Sequence, residues 1–200
     1  MTLPSPAASA ASADRAERLA ALRAQLARVA PPPAARAVLA SGLPALDQAC
    51  GGWARPGLNE VVGLPGSGRL GLVLPTMRAL ADQGYTIAVV DPLAWLHPPG
   101  LAGLPLHRLL LVRPGTRALW AAEQLARCGA LPLVVLLDPG PLGRGARRLQ
   151  QAAEAGNCAL LMLNERPEAQ LRPALRLQAV GHRLFELQRG GPPQPTRVRV

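Results

Sequence analysis

The residues that could do chemistry lie in one stretch, Gly63-Leu64-Pro65-Gly66-Ser67-Gly68-Arg69-Leu70. The frame is G-x-x-x-x-G-K-[ST], a loop whose backbone N–H groups cradle phosphates, whose lysine reaches the β- and γ-phosphates and whose hydroxyl holds magnesium. Gly63, Gly66 and Gly68 let N–H groups converge, and a helix opening after the loop favours an anion. Two positions depart from the frame. Arg69 stands in the place of the lysine, with a planar fork too bulky for the same cradle. Leu70 stands in the place of the hydroxyl and cannot ligate magnesium. The loop reads as an inherited frame, so no cofactor and no efficient hydrolysis are expected. ATP held by Arg69 is the alternative. Ser67 has no base beside it in the sequence, and its loop setting accounts for it without nucleophilic chemistry. His97, His107 and His182 are isolated from Cys or acid at metal-ligand spacing, so no metal site is expected.

A loop of this kind must be held between a strand and a helix, and the flanking sequence supplies both. Strands are expected at 59–62, 86–91, 108–112, 133–138 and 158–164, with helical patterns near 68–83, 116–128 and 143–155. Runs such as Leu133-Val134-Val135-Leu136-Leu137 suit a parallel sheet covered on both faces. Alternating strands and helices give an α/β sandwich. The end differs: 175–180 and 184–188, separated by Gly181-His182-Arg183, predict a hairpin, and 198–200 a last short strand. Pro75 falls inside the helix after the loop and predicts a kink or an end there, at a cost of about 3 kcal/mol.

Upstream, residues 1–13 read as a loose tail. Leu19, Leu22, Leu26 and Val29 recur at helical spacing among charged residues, and Asp14 is placed to cap them, so 14–30 is expected as an amphipathic helix. Pro31-Pro32-Pro33 stops it, and 31–40 reads as a stiff Pro/Ala linker to a domain over 41–200. The leucine stripe packs on its own domain or docks on a neighbouring subunit or partner.

Composition narrows the function classes. Of 200 residues, 49% are hydrophobic and 17% charged, enough for a real core. Five aromatic residues, Trp53, Trp95, Trp120, Tyr85 and Phe185, are too few for a base-stacking platform. All 22 basic residues are arginine, so chemistry that needs a lysine ammonium is excluded. Net charge is +10, with fourteen Arg against six acids in 101–200, which points that half toward an acidic partner or nucleic acid. Arg144, Arg147 and Arg148 cluster at the start of the last expected helix, as a DNA or acidic-partner contact or as a solvated face. Cys50, Cys128 and Cys158 form no CxxC pair and read as reduced thiols. With no signal-like N-terminus and no run of eighteen apolar residues, the expectation is a cytoplasmic protein without a membrane partner.

A longer pattern surrounds the loop. Ser41-Gly42-Leu43-Pro44-Ala45-Leu46-Asp47, then Gly51-Gly52-Trp53 and Gly57-Leu58-Asn59-Glu60-Val61-Val62-Gly63, resembles the approach to the phosphate loop in RecA-type recombinases. The order of elements through about residue 189 is similar. On that resemblance Asp138 corresponds to the second nucleotide-site aspartate and Asn164 to the polar residue that senses the γ-phosphate. The general base does not carry over: Leu93, in Val90-Asp91-Pro92-Leu93, occupies its place. Glu60 reads as a strand-end structural residue. The loops 139–145 and 165–173 are short beside the recombinases' DNA-binding loops, so strand exchange is not expected, while the position before 144 is one that faces DNA in that family.

A short RecA-like chain, rich in Arg and Leu with a degenerate loop, resembles the ImuA family, also labelled SulA-like. Leu119-Trp120-Ala121-Ala122-Glu123-Gln124 and Arg148-Leu149-Gln150-Gln151-Ala152-Ala153-Glu154 are similar to runs in that family. The resemblance implies an α/β RecA-like P-loop core with a mostly parallel sheet, a terminal β-hairpin and an N-terminal amphipathic helix. It also implies a non-enzymatic adaptor in SOS-induced translesion DNA synthesis. The implied partners are an ImuB-like Y-family polymerase homologue, a DnaE2-type polymerase and RecA itself. A weak ATP-binding regulator, a non-specific DNA-binding protein and, remotely, a cell-division inhibitor are the alternatives.

Overall fold

The structure, a computed structural model, describes residues 37–191 and 196–199. The expected helix 14–30, with Leu19, Leu22 and Leu26, lies outside them. The described chain begins with a two-stranded ribbon, β1 (Val38–Leu39) antiparallel to β2 (Trp53–Ala54), around the short helix α1 (Pro44–Cys50). The end of the stretch expected as linker is therefore strand. Two alternating residues give too little periodicity to be read from sequence.

Eight strands form the main sheet. They are β3 (Gly57–Val62), β4 (Ile87–Val90), β5 (Leu109–Val112), β6 (Leu133–Leu137), β7 (Ala159–Asn164), β8 (Leu175–Gly181), β9 (Leu184–Arg189) and β10 (Thr196–Arg199), in the order β10-β9-β8-β3-β7-β6-β4-β5. From β8 to β5 every pair is parallel, and β8, β9 and β10 pair antiparallel. The α/β reading and the terminal hairpin both hold, and each expected strand is present with its ends moved by a residue or two.

Among the described residues, three helices cover the sheet. On one face lies α2 (Arg69–Asp82), which buries Leu72, Val73, Met77 and Leu80. On the other lie α3 (Ala118–Arg127) and α4 (Gly145–Ala155), whose Ala122, Ala126, Ala152 and Ala153 are fully buried. Alanine at these positions lets helices lie close to strands that are apolar on both faces. Helix α2 does not end at Pro75. It runs through to Asp82, with Gly71 as the carbonyl deprived of a donor. The ring instead packs on the loop ahead of α1, where a Cβ on Gly42 would come within 3.0 Å of Pro75 Cβ.

That loop explains the Ser-Gly-x-x-x-Leu-Asp pattern. Asp47 accepts the Ser41 and Gly42 N–H groups at 2.8 and 3.2 Å, and Leu46 is fully buried. Trp53 Nε1 donates to Thr76 Oγ1, which donates to the Ser41 carbonyl, both at 2.8 Å. The chain of bonds ties β2, α2 and the loop into one unit.

Candidate functional site

Parallel α/β sheets gather ligand-facing groups beyond the carboxyl ends of their strands. Here Gly63 follows β3, Asp91 follows β4, Asp138 follows β6 and Asn164 ends β7, so the sequence-expected residues lie together at the carboxyl ends of neighbouring strands. The loop from Gly63 to Gly68 connects β3 to α2, as its frame predicts. Gly66 and Gly68 take φ of 81° and 96°, values that a side chain resists. Close approach excludes a side chain at Gly63, because a Cβ there would sit 2.6 Å from Ser67 Oγ and 2.7 Å from Ala179 Cβ. Ser67 Oγ is buried without a hydrogen-bond partner on that side. The β8–β9 turn clamps the loop from outside, with the Arg183 N–H donating to the Ser67 carbonyl at 3.0 Å.

Arg69 is the informative residue. Its guanidinium turns across the end of β7 and meets Asp138 as a two-pronged fork, Nη1 to Oδ1 at 2.7 Å and Nη2 to Oδ2 at 2.9 Å. The side chains are 9% and 12% exposed, so the pair is largely desolvated. Parallel charge-assisted bonds of this kind are the strong form of the Arg–carboxylate contact. The residue that would reach for phosphates thus neutralises the residue that would serve magnesium. The cleft beside the fork, about 310 Å³, is walled by Pro65, Leu70, Trp95, Leu96, Leu137 and Leu163. Apolar walls and a satisfied ion pair do not fit a magnesium nucleotide.

The general-base position is also accounted for. Asp91, fully buried, accepts the N–H groups of Trp95 and Leu96, each at 3.0 Å, and faces Arg113 Nε at 3.7 Å. The turn it closes puts Leu93 and Trp95 outward, half-exposed. Leu93 and Trp95 line a pocket together with Asp138, Asn164, Glu165 and Glu168.

Asn164, at the end of β7, is tied to a buried carboxylate. Its Nδ2 donates to Glu60 Oε1 at 2.9 Å. Glu60, fully buried in β3, also accepts the Glu168 N–H at 2.9 Å and pairs with Arg176 on β8. Arg176 in turn donates to the carbonyls of Glu168 and Leu171. This network joins β3, β7 and β8 and orders the segment after β7. The sequence reading had Glu60 as structural but missed its partners, for which no local signal exists.

The basic cluster divides. Arg148 is paired with Glu123 of α3, the carboxylate that also accepts Arg127 Nη2 at 2.9 Å, and its side chain stays 61% exposed. Arg144 and Arg147 are exposed, with no acidic partner among the described residues. Among those residues no group of three or more His, Cys, Asp or Glu could hold a metal, and no helix is long and apolar enough to cross a membrane.

Comparison with known proteins agrees with the architecture. No family model matches the chain. RecA of Acholeplasma laidlawii is 36% identical over 102 residues, 48% of this chain and 31% of RecA, and RecA of Francisella tularensis subsp. novicida is 34% identical over 105 residues. The chain therefore matches about a third of the length of these curated relatives. Among solved structures, the RadB recombinase superposes with a TM-score of 0.61 at 20% identity, over 82% of this chain and 96% of that one. SulA from Pseudomonas aeruginosa gives a TM-score of 0.46 at 24% identity, over 54% of this chain. The chain is RecA-like in fold and, over about half its length, in sequence.

Proposed function

We propose that this chain is a non-catalytic RecA-fold accessory protein of error-prone DNA synthesis after damage. It acts by binding an ImuB-like Y-family polymerase homologue and a DnaE2-type polymerase, with RecA as a further partner. The observation that carries the reading is the Arg69–Asp138 fork. A RecA fold whose phosphate-loop cation is spent on its own aspartate has given up the nucleotide cycle and kept the scaffold. Leu70 and Leu93, at the positions of the magnesium hydroxyl and the base, support the same conclusion.

The loss is more than a weakened grip. For a nucleotide to use Arg69, the fork must open and leave Asp138 desolvated and unpaired, a cost of about 3 kcal/mol. That lowers affinity by about two orders of magnitude before any phosphate contact forms. The residue-level differences that disable the site leave the sheet and its three helices intact, as a scaffold for partners requires.

The direct test is affinity purification of the tagged full chain from DNA-damaged cells, with bound proteins identified by mass spectrometry. Nuclease-resistant recovery of the polymerase subunits or RecA is expected. Recovery of nuclease-sensitive material alone would overturn the accessory reading in favour of a DNA-binding protein.

A further inference from the structure

A second organised site lies on the outer face of α3 and α4, away from the phosphate loop. Trp120, Gln124 and Arg127 follow one another at four- and three-residue steps and share a stripe of α3, with Arg117 in the turn just ahead of it. Arg144, Arg147 and Arg148 start α4 beside it, and a Cβ on Gly145 would lie 3.1 Å from Leu119 Cδ1. The two helices and the turns that open them hold five arginines against Glu123 and Glu154.

Glu123 shows that this face is built. Its side chain is 8% exposed and needs one cation, yet two guanidiniums reach it, Arg127 from its own helix and Arg148 from the neighbour. Each gives Nη2 to a separate carboxylate oxygen and remains more than half exposed. One carboxylate thus orients two cations and cancels one. Beside them Trp120 is 54% exposed, with the Arg117 guanidinium 5.8 Å from its ring centre. Arg144 and Arg147 stand at a helix N-terminus, where positive charge opposes the backbone dipole and is relieved by a bound anion.

We infer that this face docks an acidic segment of a partner protein, with an apolar side chain seated on Trp120 and carboxylates on the guanidiniums of Arg127, Arg144, Arg147 and Arg148. Charge complementarity sets the partner's sign. Tryptophan and arginine together are the residue types that dominate protein–protein binding energy. A single ring serves as an anchor for one side chain, whereas a nucleic-acid strand would need successive rings to stack its bases. The inference rests on the accessory reading for the existence of a partner, and it supplies the surface and the partner's chemistry.

The test measures fluorescence anisotropy of a labelled peptide with glutamate and leucine at helical spacing, titrated with the full chain at low salt. Binding is expected to weaken steeply with salt. It should fall at least about tenfold in Arg144→Glu/Arg147→Glu and about fivefold in Trp120→Ala. The charge reversal places acids at a helix N-terminus, which favours the helix, so its loss of binding does not reflect unfolding. Trp120→Ala is checked by its melting temperature. Three results would overturn the proposal: no binding by the wild type, equal binding by the variants, or displacement of the peptide by an oligothymidylate that binds the same face more tightly. If the peptide fails while affinity purification still returns polymerase subunits, this surface is wrong and the accessory reading stands. If purification fails while the peptide binds, the reverse holds.

Discussion

Lysine and arginine carry the same charge, but at position 69 the difference in shape decides which partner the side chain meets. A lysine ammonium is a point charge that can serve a phosphate from within the loop, whereas the guanidinium fork matches a carboxylate in two parallel bonds. Asp138, 12% exposed, supplies that carboxylate. Replacing Arg69 with Ala leaves the aspartate buried and unpaired and is expected to destabilise the chain by about 3 kcal/mol, measured by urea denaturation. Adding Asp138→Ala should restore part of it, with a coupling energy of about 1–3 kcal/mol; additive effects would show that the fork is not an energetic unit. Sequence gave away Arg69, Leu70 and Leu93 as departures, because a motif frame makes wrong residues visible. It could not pair Arg69 with Asp138, which are 69 positions apart, since nothing local marks two residues that meet only across a folded sheet.

Elements were more legible than contacts. Strands β4, β6 and β7 are continuous apolar runs because both of their faces are covered, and such runs announce themselves. The ribbon of β1 and β2 was missed because two-residue strands carry no period. Pro75 differs in another way: its cost in a helix is local, while its close approach to the loop at Gly42 is tertiary and has no local signal. The Glu60 network belongs at this scale, since it fastens β3 to β7 and β8 through Asn164 and Arg176. Arg176→Met removes the only arginine paired with Glu60 among the described residues and leaves a fully buried carboxylate. Its expected cost is about 3–5 kcal/mol. A shift in the denaturation midpoint with unchanged slope would show the loss; an unchanged midpoint would mean that the backbone and Asn164 donors suffice.

At the scale of the molecule, the RecA-like architecture was readable from the order of elements and the pattern ahead of the loop. Three departures from the recombinase pattern, Arg69, Leu70 and Leu93, were readable from residue type alone. How the scaffold disposes of its idle charges was not, because burial and pairing are properties of the folded whole. The cysteines give a global check. Burial pushes the Cys158 thiol up to about 12, while Cys128 is exposed. Alkylation followed by mass spectrometry at pH 8 is expected to label Cys128 and spare Cys158 until the chain unfolds. The same shift has a sign for stability. The unfolded thiol ionises above its ordinary 9.0 and the folded one does not, so stability falls as pH rises from 9 toward 12.

The central claim is that this RecA fold has closed its nucleotide site with its own residues. Isothermal titration of the full chain with Mg-ATP tests it most directly. No heat of binding is expected up to millimolar nucleotide, in the wild type and in Arg69→Ala alike. Stoichiometric binding at micromolar nucleotide, lost in Arg69→Ala, would show that Arg69 leaves Asp138 to grip phosphate and would contradict it.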